Sequence, residues 1–131
     1  SMGNAVSRIT HAAVKGVAPE LRAELYEDDA QDYCYVKDCG QGIALLQAAE
    51  TLSHQCYNVG AGRASSNREF ADAMRRHFPN AILPMQPGAS VPRKDPYMSL
   101  ARIKADTGYE PQYTVDKAMD DYLAWLALNA E

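Results

Sequence analysis

Two stretches of the chain place a tyrosine four residues ahead of a lysine: Tyr33-Cys34-Tyr35-Val36-Lys37 and Tyr113-Thr114-Val115-Asp116-Lys117. A lysine so placed lowers the pKa of the tyrosine and readies it for acid–base work, provided both side chains stand one turn apart on a helix. The first pair falls on a predicted strand and the second straddles a predicted helix cap, so no catalytic residue is assigned to the chain. Gly60-Ala61-Gly62-Arg63-Ala64-Ser65 lies between a predicted strand and a predicted helix, as a dinucleotide-binding turn does. The third glycine of that pattern is a serine here, and Ile82-Leu83-Pro84, where the ribose-binding acid belongs, carries no acid. A tight turn feeding a capped helix is the reading preferred, although such a helix N-terminus can still accept an anion. Arg63 and the pair Arg93-Lys94 are either diphosphate ligands, which suit a planar guanidinium, or solvated surface charge. Arg68, Arg75 and Arg76 read as surface.

The paired acids Asp28-Asp29 and Asp120-Asp121 have no second polar group arranged around them in the sequence and read as solvated. Cys34, Cys39 and Cys56 are odd in number and lack a CxxC pair, and His11, His54 and His77 stand apart from them. No metal-ligand spacing results, and a reduced, intracellular protein is expected.

The elements that must position these groups belong to a chain of 131 residues, 47% hydrophobic and 23% charged, with a net charge of −4. That is the size and composition of one ordinary globular domain. No basic stripe suits a nucleic acid, and no apolar run approaches the roughly 20 residues that span a bilayer. With no secretory leader expected either, the location predicted is cytoplasmic. Ser1-Met2 reads as the remnant of a cleaved tag, which leaves residues 3–131 as the folded lobe.

Hydrophobic spacing predicts a first helix over 4–15, with Val6, Ile9, Ala13 and Val14 on one face and Gly16 as its C-cap. Residues 32–37 read as a strand, and Asp38 as the N-cap of a helix over 39–50 that carries Ile43, Ala44, Leu46 and Gln47 in helical rhythm, with Leu45 and Leu52 widening the apolar stripe. Residues 56–59 read as a second strand and 81–83 as a third. Ser66-Asn67-Arg68-Glu69 is a capping box opening a helix through Phe70, Met74 and Phe78, which Pro79 stops. Residues 84–96, with four prolines, read as a loop. A short helix near 99–104 precedes a turn at 107–111. Thr114 caps a last helix with Ala118, Met119, Tyr122, Leu123 and Leu126 on its apolar face. The fold class expected is α+β, a small helix-rich lobe with a few short strands.

Three motifs in order carry a resemblance: Tyr35-Val36-Lys37-Asp38 opening a helix, Tyr57-Asn58-Val59-Gly60-Ala61-Gly62 before a capped helix, and Thr107-Gly108-Tyr109-Glu110-Pro111 before a final helix with Trp125. The chain from Val6 to Trp125 resembles the C-terminal part of the NAD-dependent epimerase/dehydratase family, the extended short-chain dehydrogenases that include UDP-glucose 4-epimerase. The resemblance implies that an N-terminal Rossmann domain supplies the glycine-rich turn, the catalytic tyrosine and lysine, and the NAD or NADP site. The lobe itself would close over the diphosphate of a nucleotide-sugar substrate, without cofactor or activity of its own. In the family an arginine often precedes the Asp-Tyr of the first strand, and Gln31 stands there, a neutral amide in place of a charge. Asp95 matches a ribose-binding aspartate. The arginine expected three residues before it is displaced by one, to Arg93, with Pro92 in its place. Arg63 follows the glycine turn where the family's nucleotide pocket runs, and Tyr33 lies beside Gln31. Asp38 matches a family aspartate whose expected task is capping, at about 1 kcal/mol.

The resemblance thus implies substrate contacts at Arg93, Asp95, Arg63, Gln31 and Tyr33. Its partners would be a nucleotide sugar, its own Rossmann domain and, through an apolar face left uncovered, further copies of itself. The alternatives are a free-standing binding module that has kept the fold, and a fragment of an extended short-chain reductase acting on a non-nucleotide substrate. The sugar, NAD against NADP, and isomerase against dehydratase or oxidoreductase chemistry are fixed by residues outside this sequence.

Overall fold

The computed structural model describes residues 4–92 and 97–129, an α+β chain of five helices and a few two-residue strands among the described residues. It divides into two compact units, one built from residues up to 29, 66–92 and from 114 on, the other from 30–65 and the stretch ending at 113. Among the described residues no helix is long and apolar enough to cross a membrane.

The first unit is a helical core with a short parallel ladder. Helix α1 (Ala5–Lys15) starts where the Asn4 side chain accepts the Ser7 N–H, and ends at Gly16, whose φ of 66° is the left-handed turn glycine provides. Strand β1 spans Leu25–Tyr26. The expected capping box opens α3 (Asn67–His77): Glu69 donates its N–H to Ser66 Oγ, and its carboxylate accepts the Ser66 N–H. Thr114 Oγ1 accepts the Lys117 N–H at the start of α5 (Val115–Asn129). Ile9, Ala73, Met74, Met119 and Leu123 form the buried cluster, and Val6, Phe70, Phe78, Leu25 and Met85 pack against it. The predicted faces of the first, third and last helices thus converge on one core. Trp125, by contrast, is 56% exposed, stacked on Tyr122.

The strand expected at 81–83 forms two residues later, beyond Pro84. There Met85–Gln86 (β3) runs parallel to β1, with Leu25 opposite Met85. Proline donates no ladder hydrogen bond, so pairing starts after it. The acids read as solvated have partners. Arg68 reaches both Glu27 and Asp28, Asp29 accepts the Ser90 N–H, and Asp120 lies 2.6 Å from His77 Nε2. These exposed pairs stabilise by at most about 1 kcal/mol each and gather no reacting group.

The second unit corrects several expectations. Residues 32–37 are not a strand: only Ala30–Gln31 (β2) has strand geometry, and helix α2 (Val36–Ala48) begins at once after Tyr35. The tyrosines and valine favour a pleated surface only when a ladder is available, and here the Asp32 carboxylate engages the neighbouring amides instead. Asp38 is not the N-cap. It sits inside the first turn of α2, 3% exposed, and accepts the N–H groups of Gln112 at 2.8 Å and Tyr113 at 3.0 Å. Residues 56–59 belong to no strand among the described residues, and the Asn58 side chain instead donates to the Ser99 carbonyl. Of the apolar residues on the predicted stripe of this helix, Leu45 and Leu46 pack on the core, while Ile43 (55%) and Leu52 (44%) are exposed.

The core of this unit is Leu100, Ile103 and Tyr109. Ile103 belongs to α4 (Ala101–Thr107), which ends on Gly108 at φ 71°. The Tyr109 hydroxyl donates to the Gly60 carbonyl at 2.9 Å.

Asp106 closes the 53–57 turn, accepting the Tyr57 hydroxyl at 2.5 Å and the Ser53 N–H at 2.9 Å. The Tyr57 hydrogen bond, and then the Ser53 amide, hold its carboxyl below the usual carboxylate value of 3.8. A depressed folded-state pKa contributes stability above the unfolded value and loses it as pH falls through the folded one. The melting temperature of wild type should therefore exceed that of Asp106→Asn at neutral pH, with the gap closing below about pH 4. A gap that stays constant down to about pH 2.5 would show that the carboxylate does not carry this turn.

Candidate functional site

The residues expected to touch substrate gather, where described, around one carboxylate that the sequence did not single out. Asp32 stands between Gln31 and Tyr33 and accepts three backbone N–H groups: Ala61 at 2.8 Å, Gly62 at 3.1 Å and Met98 at 3.0 Å. It thereby fixes the Gly60-Ala61-Gly62 turn that delivers Arg63. Gln31, Tyr33 and Arg63 are in this way brought to one corner of the second unit. The Gln31 amide donates to the Tyr33 hydroxyl across 3.4 Å, a long contact. Burial pushes the Tyr33 pKa up, so its hydroxyl is a neutral donor and acceptor at physiological pH. Arg63 is exposed. Arg93 and Asp95 lie outside the described residues.

The glycines of the turn are required by close approach. A Cβ on Gly60 would meet both Asp32 carboxylate oxygens at 3.1 Å, and one on Gly62, at φ 69°, would meet Leu100 Cδ1 at 2.8 Å. The turn does not cradle a pyrophosphate in this arrangement. Two amides that could face a phosphate, those of Ala61 and Gly62, are instead taken up by the Asp32 carboxylate. Helix α3 begins five residues beyond Gly62, and its first N–H groups, those of Asn67, Arg68 and Glu69, already donate to the Asp29 and Glu27 carbonyls and to Ser66 Oγ. The chain's own residues therefore do not fit a dinucleotide at this turn.

Neither Tyr-x-x-x-Lys pair forms a helical couple. Tyr33 precedes α2 while Lys37 lies in it, and Tyr113 precedes α5 while Lys117 lies in it. Tyr113 packs on Tyr35 with ring centroids 4.7 Å apart. Among the described residues no group of three histidine, cysteine or acidic side chains could hold a metal. An open groove between α2 and the 107–113 loop is lined by Lys37, Gln41, Glu110 and Gln112, and not by Gln31, Tyr33 or Arg63.

A signal for Asp32 was present in the sequence. Aspartate is depleted in strands, so its place at the head of a tyrosine-rich run argued for a side chain busy with backbone donors.

No family profile matches the chain, and no curated protein matches its sequence. Solved structures do match. The Bordetella bronchiseptica enzyme WbmF in complex with NADH superposes with a TM-score of 0.79 at 20% identity, over 96% of this chain and 37% of its own. A GalE-like L-threonine dehydrogenase from Cupriavidus necator gives 0.76 at 26% identity, over 95% and 42%. UDP-glucose 4-epimerase from Thermotoga maritima, with UDP-glucose, gives 0.74 at 15% identity, over 98% and 40%. The chain thus spans about two-fifths of the length of these neighbours, which are members of the NAD-dependent epimerase/dehydratase family. Its fold is that of a part of such enzymes.

Proposed function

We propose that residues 3–131 are the C-terminal substrate-binding lobe of an NAD(P)-dependent nucleotide-sugar epimerase or dehydratase, inactive by themselves. The observation that carries this reading is the match of 96% of the chain to 37% of an enzyme crystallised with NADH and, in another complex, with NAD+ and UDP. The occupied amides at Ala61 and Gly62 fit a lobe whose cofactor and acid–base groups would come from a separate Rossmann domain. In this reading Arg63 and Arg93 neutralise the diphosphate of the substrate, Asp95 receives a ribose hydroxyl, and Gln31 and Tyr33 line the wall held by Asp32. The cofactor would supply hydride transfer, and the lobe would orient the sugar for it. Val36 and Ile43, 71% and 55% exposed on α2, suit a lobe that packs on another surface.

Calorimetric titration of the intact parent enzyme with UDP tests the assignment. UDP should bind, and Arg93→Ala should weaken it about tenfold or more, the loss of a charge-assisted pair. Absence of binding at about 100 μM UDP, with Arg93→Ala changing nothing, argues against a nucleotide sugar.

A second reading has its own support. Over the aligned part, the neighbour named as a GalE-like L-threonine dehydrogenase is 26% identical to this chain, against 15% for the UDP-glucose epimerase, and Gln31 adds no charge for a diphosphate. A parent that ignores UDP but reduces NAD+ with a small amino or hydroxy acid would favour this reading.

A further inference from the structure

Cys34 and Cys39 are set against each other by the way α2 starts. With Tyr35 as N-cap, Cys34 occupies the position just before the cap and Cys39 the fourth helical position, the two places whose side chains meet across a first turn. The Cys39 N–H donates to the Tyr35 carbonyl at 2.9 Å, which fixes that turn. The Cys34 thiol donates to the same Tyr35 carbonyl at 3.7 Å, so the two cysteines converge on one oxygen. Both cysteines are half-buried thiols, whereas Cys56 is exposed. Neither cysteine has a part in the proposed substrate site.

We propose that Cys34 and Cys39 form a redox modification site, a dithiol that a low-molecular-weight disulfide converts to an intrachain disulfide across the first turn of α2. The reaction is thiol–disulfide exchange in two displacements. Cys39 Sγ, after giving up its proton to water, attacks one sulfur of the reagent, whose S–S bond breaks and releases one small thiolate. Cys34 Sγ then loses its proton and attacks Cys39 Sγ, expelling the second small thiolate. Both released thiolates take up a proton. The two cysteines lose two electrons, and the reagent's disulfide gains them. Burial first, and Cys39 second, push the Cys34 thiol up to about 11, so Cys34 remains protonated at neutral pH and serves as the resolving group. The cross-link would tie the first turn of α2 to the segment that carries Asp32, two residues before Cys34.

The test equilibrates the full chain with reduced and oxidised glutathione at graded ratios, folded and in urea, then blocks the remaining thiols by alkylation and maps them by mass spectrometry. The folded chain should lose the Cys34 and Cys39 alkylation sites together and become lighter by two hydrogens. It should do so at a ratio at least about tenfold more reducing than the unfolded chain requires, while Cys56 carries only a glutathione adduct. A Cys34→Ser variant should give at most an adduct at Cys39. The proposal is overturned if both sites stay alkylatable throughout, if folded and unfolded chains oxidise at the same ratio, or if the bridge found involves Cys56.

Discussion

Replacing Asp32 by alanine should lower the melting temperature by about 10 °C, corresponding to about 3 kcal/mol in a chain of this size. One carboxylate holds the amides of Ala61, Gly62 and Met98, which lie 29, 30 and 66 residues away, so its loss frees three donors and the segments they belong to. Hydrogen bonds to a charged acceptor contribute about 1.5–3 kcal/mol each, and the partial exposure of Asp32 keeps the sum well below three times that. Asp32→Asn retains one acceptor oxygen and should fall between wild type and alanine. Amide hydrogen exchange at residues 61, 62 and 98 should quicken in the same order. An alanine variant within about 0.5 kcal/mol of wild type would mean that the turn is held by something else.

The second large effect is expected at Gly42, a helical glycine that touches the core. A Cβ there would stand 2.6 Å from Val59 Cγ1 and 3.3 Å from Tyr109 Cε2. Alanine would gain about 1 kcal/mol of helix propensity and spend a similar amount on displacing the Val59 methyl, a near-neutral change. Valine adds two more methyl groups against Tyr109, which is fully buried and fixed by its bond to the Gly60 carbonyl. Gly42→Val should therefore cost about 2–3 kcal/mol, seen as an earlier urea midpoint with the slope unchanged. Equal stability of the valine and wild-type chains would show that α2 does not approach Val59 and Tyr109 this closely.

The parts of the fold legible in the sequence are those governed by a few neighbouring residues. Gly16, the Ser66–Glu69 box and Thr114 obey capping rules that operate within four positions, and each element they bound is present. The strands were less legible. Residues 32–37 and 56–59 have strand composition, yet strand formation depends on a partner, and neither stretch has a ladder among the described residues beyond two-residue β2. Least legible were carboxylates acting at long range. Asp38 has the sequence position of a cap because it opens a helical rhythm, whereas its oxygens serve amides 74 and 75 residues ahead. The candidate site follows suit: Gln31, Tyr33 and Arg63 come from a resemblance, while Asp32, which brings them together, carries no sequence signal beyond its depletion in strands, because its partners lie 29, 30 and 66 residues away.

The division of labour proposed for this chain can be read in one experiment, backbone amide NMR of the chain titrated in parallel with UDP and with NAD+ to about 1 mM each. The account predicts shifts at residues 31–33 and 61–63 with UDP and none with NAD+. Shifts at residues 60–63 with NAD+, or no response to UDP, would contradict it.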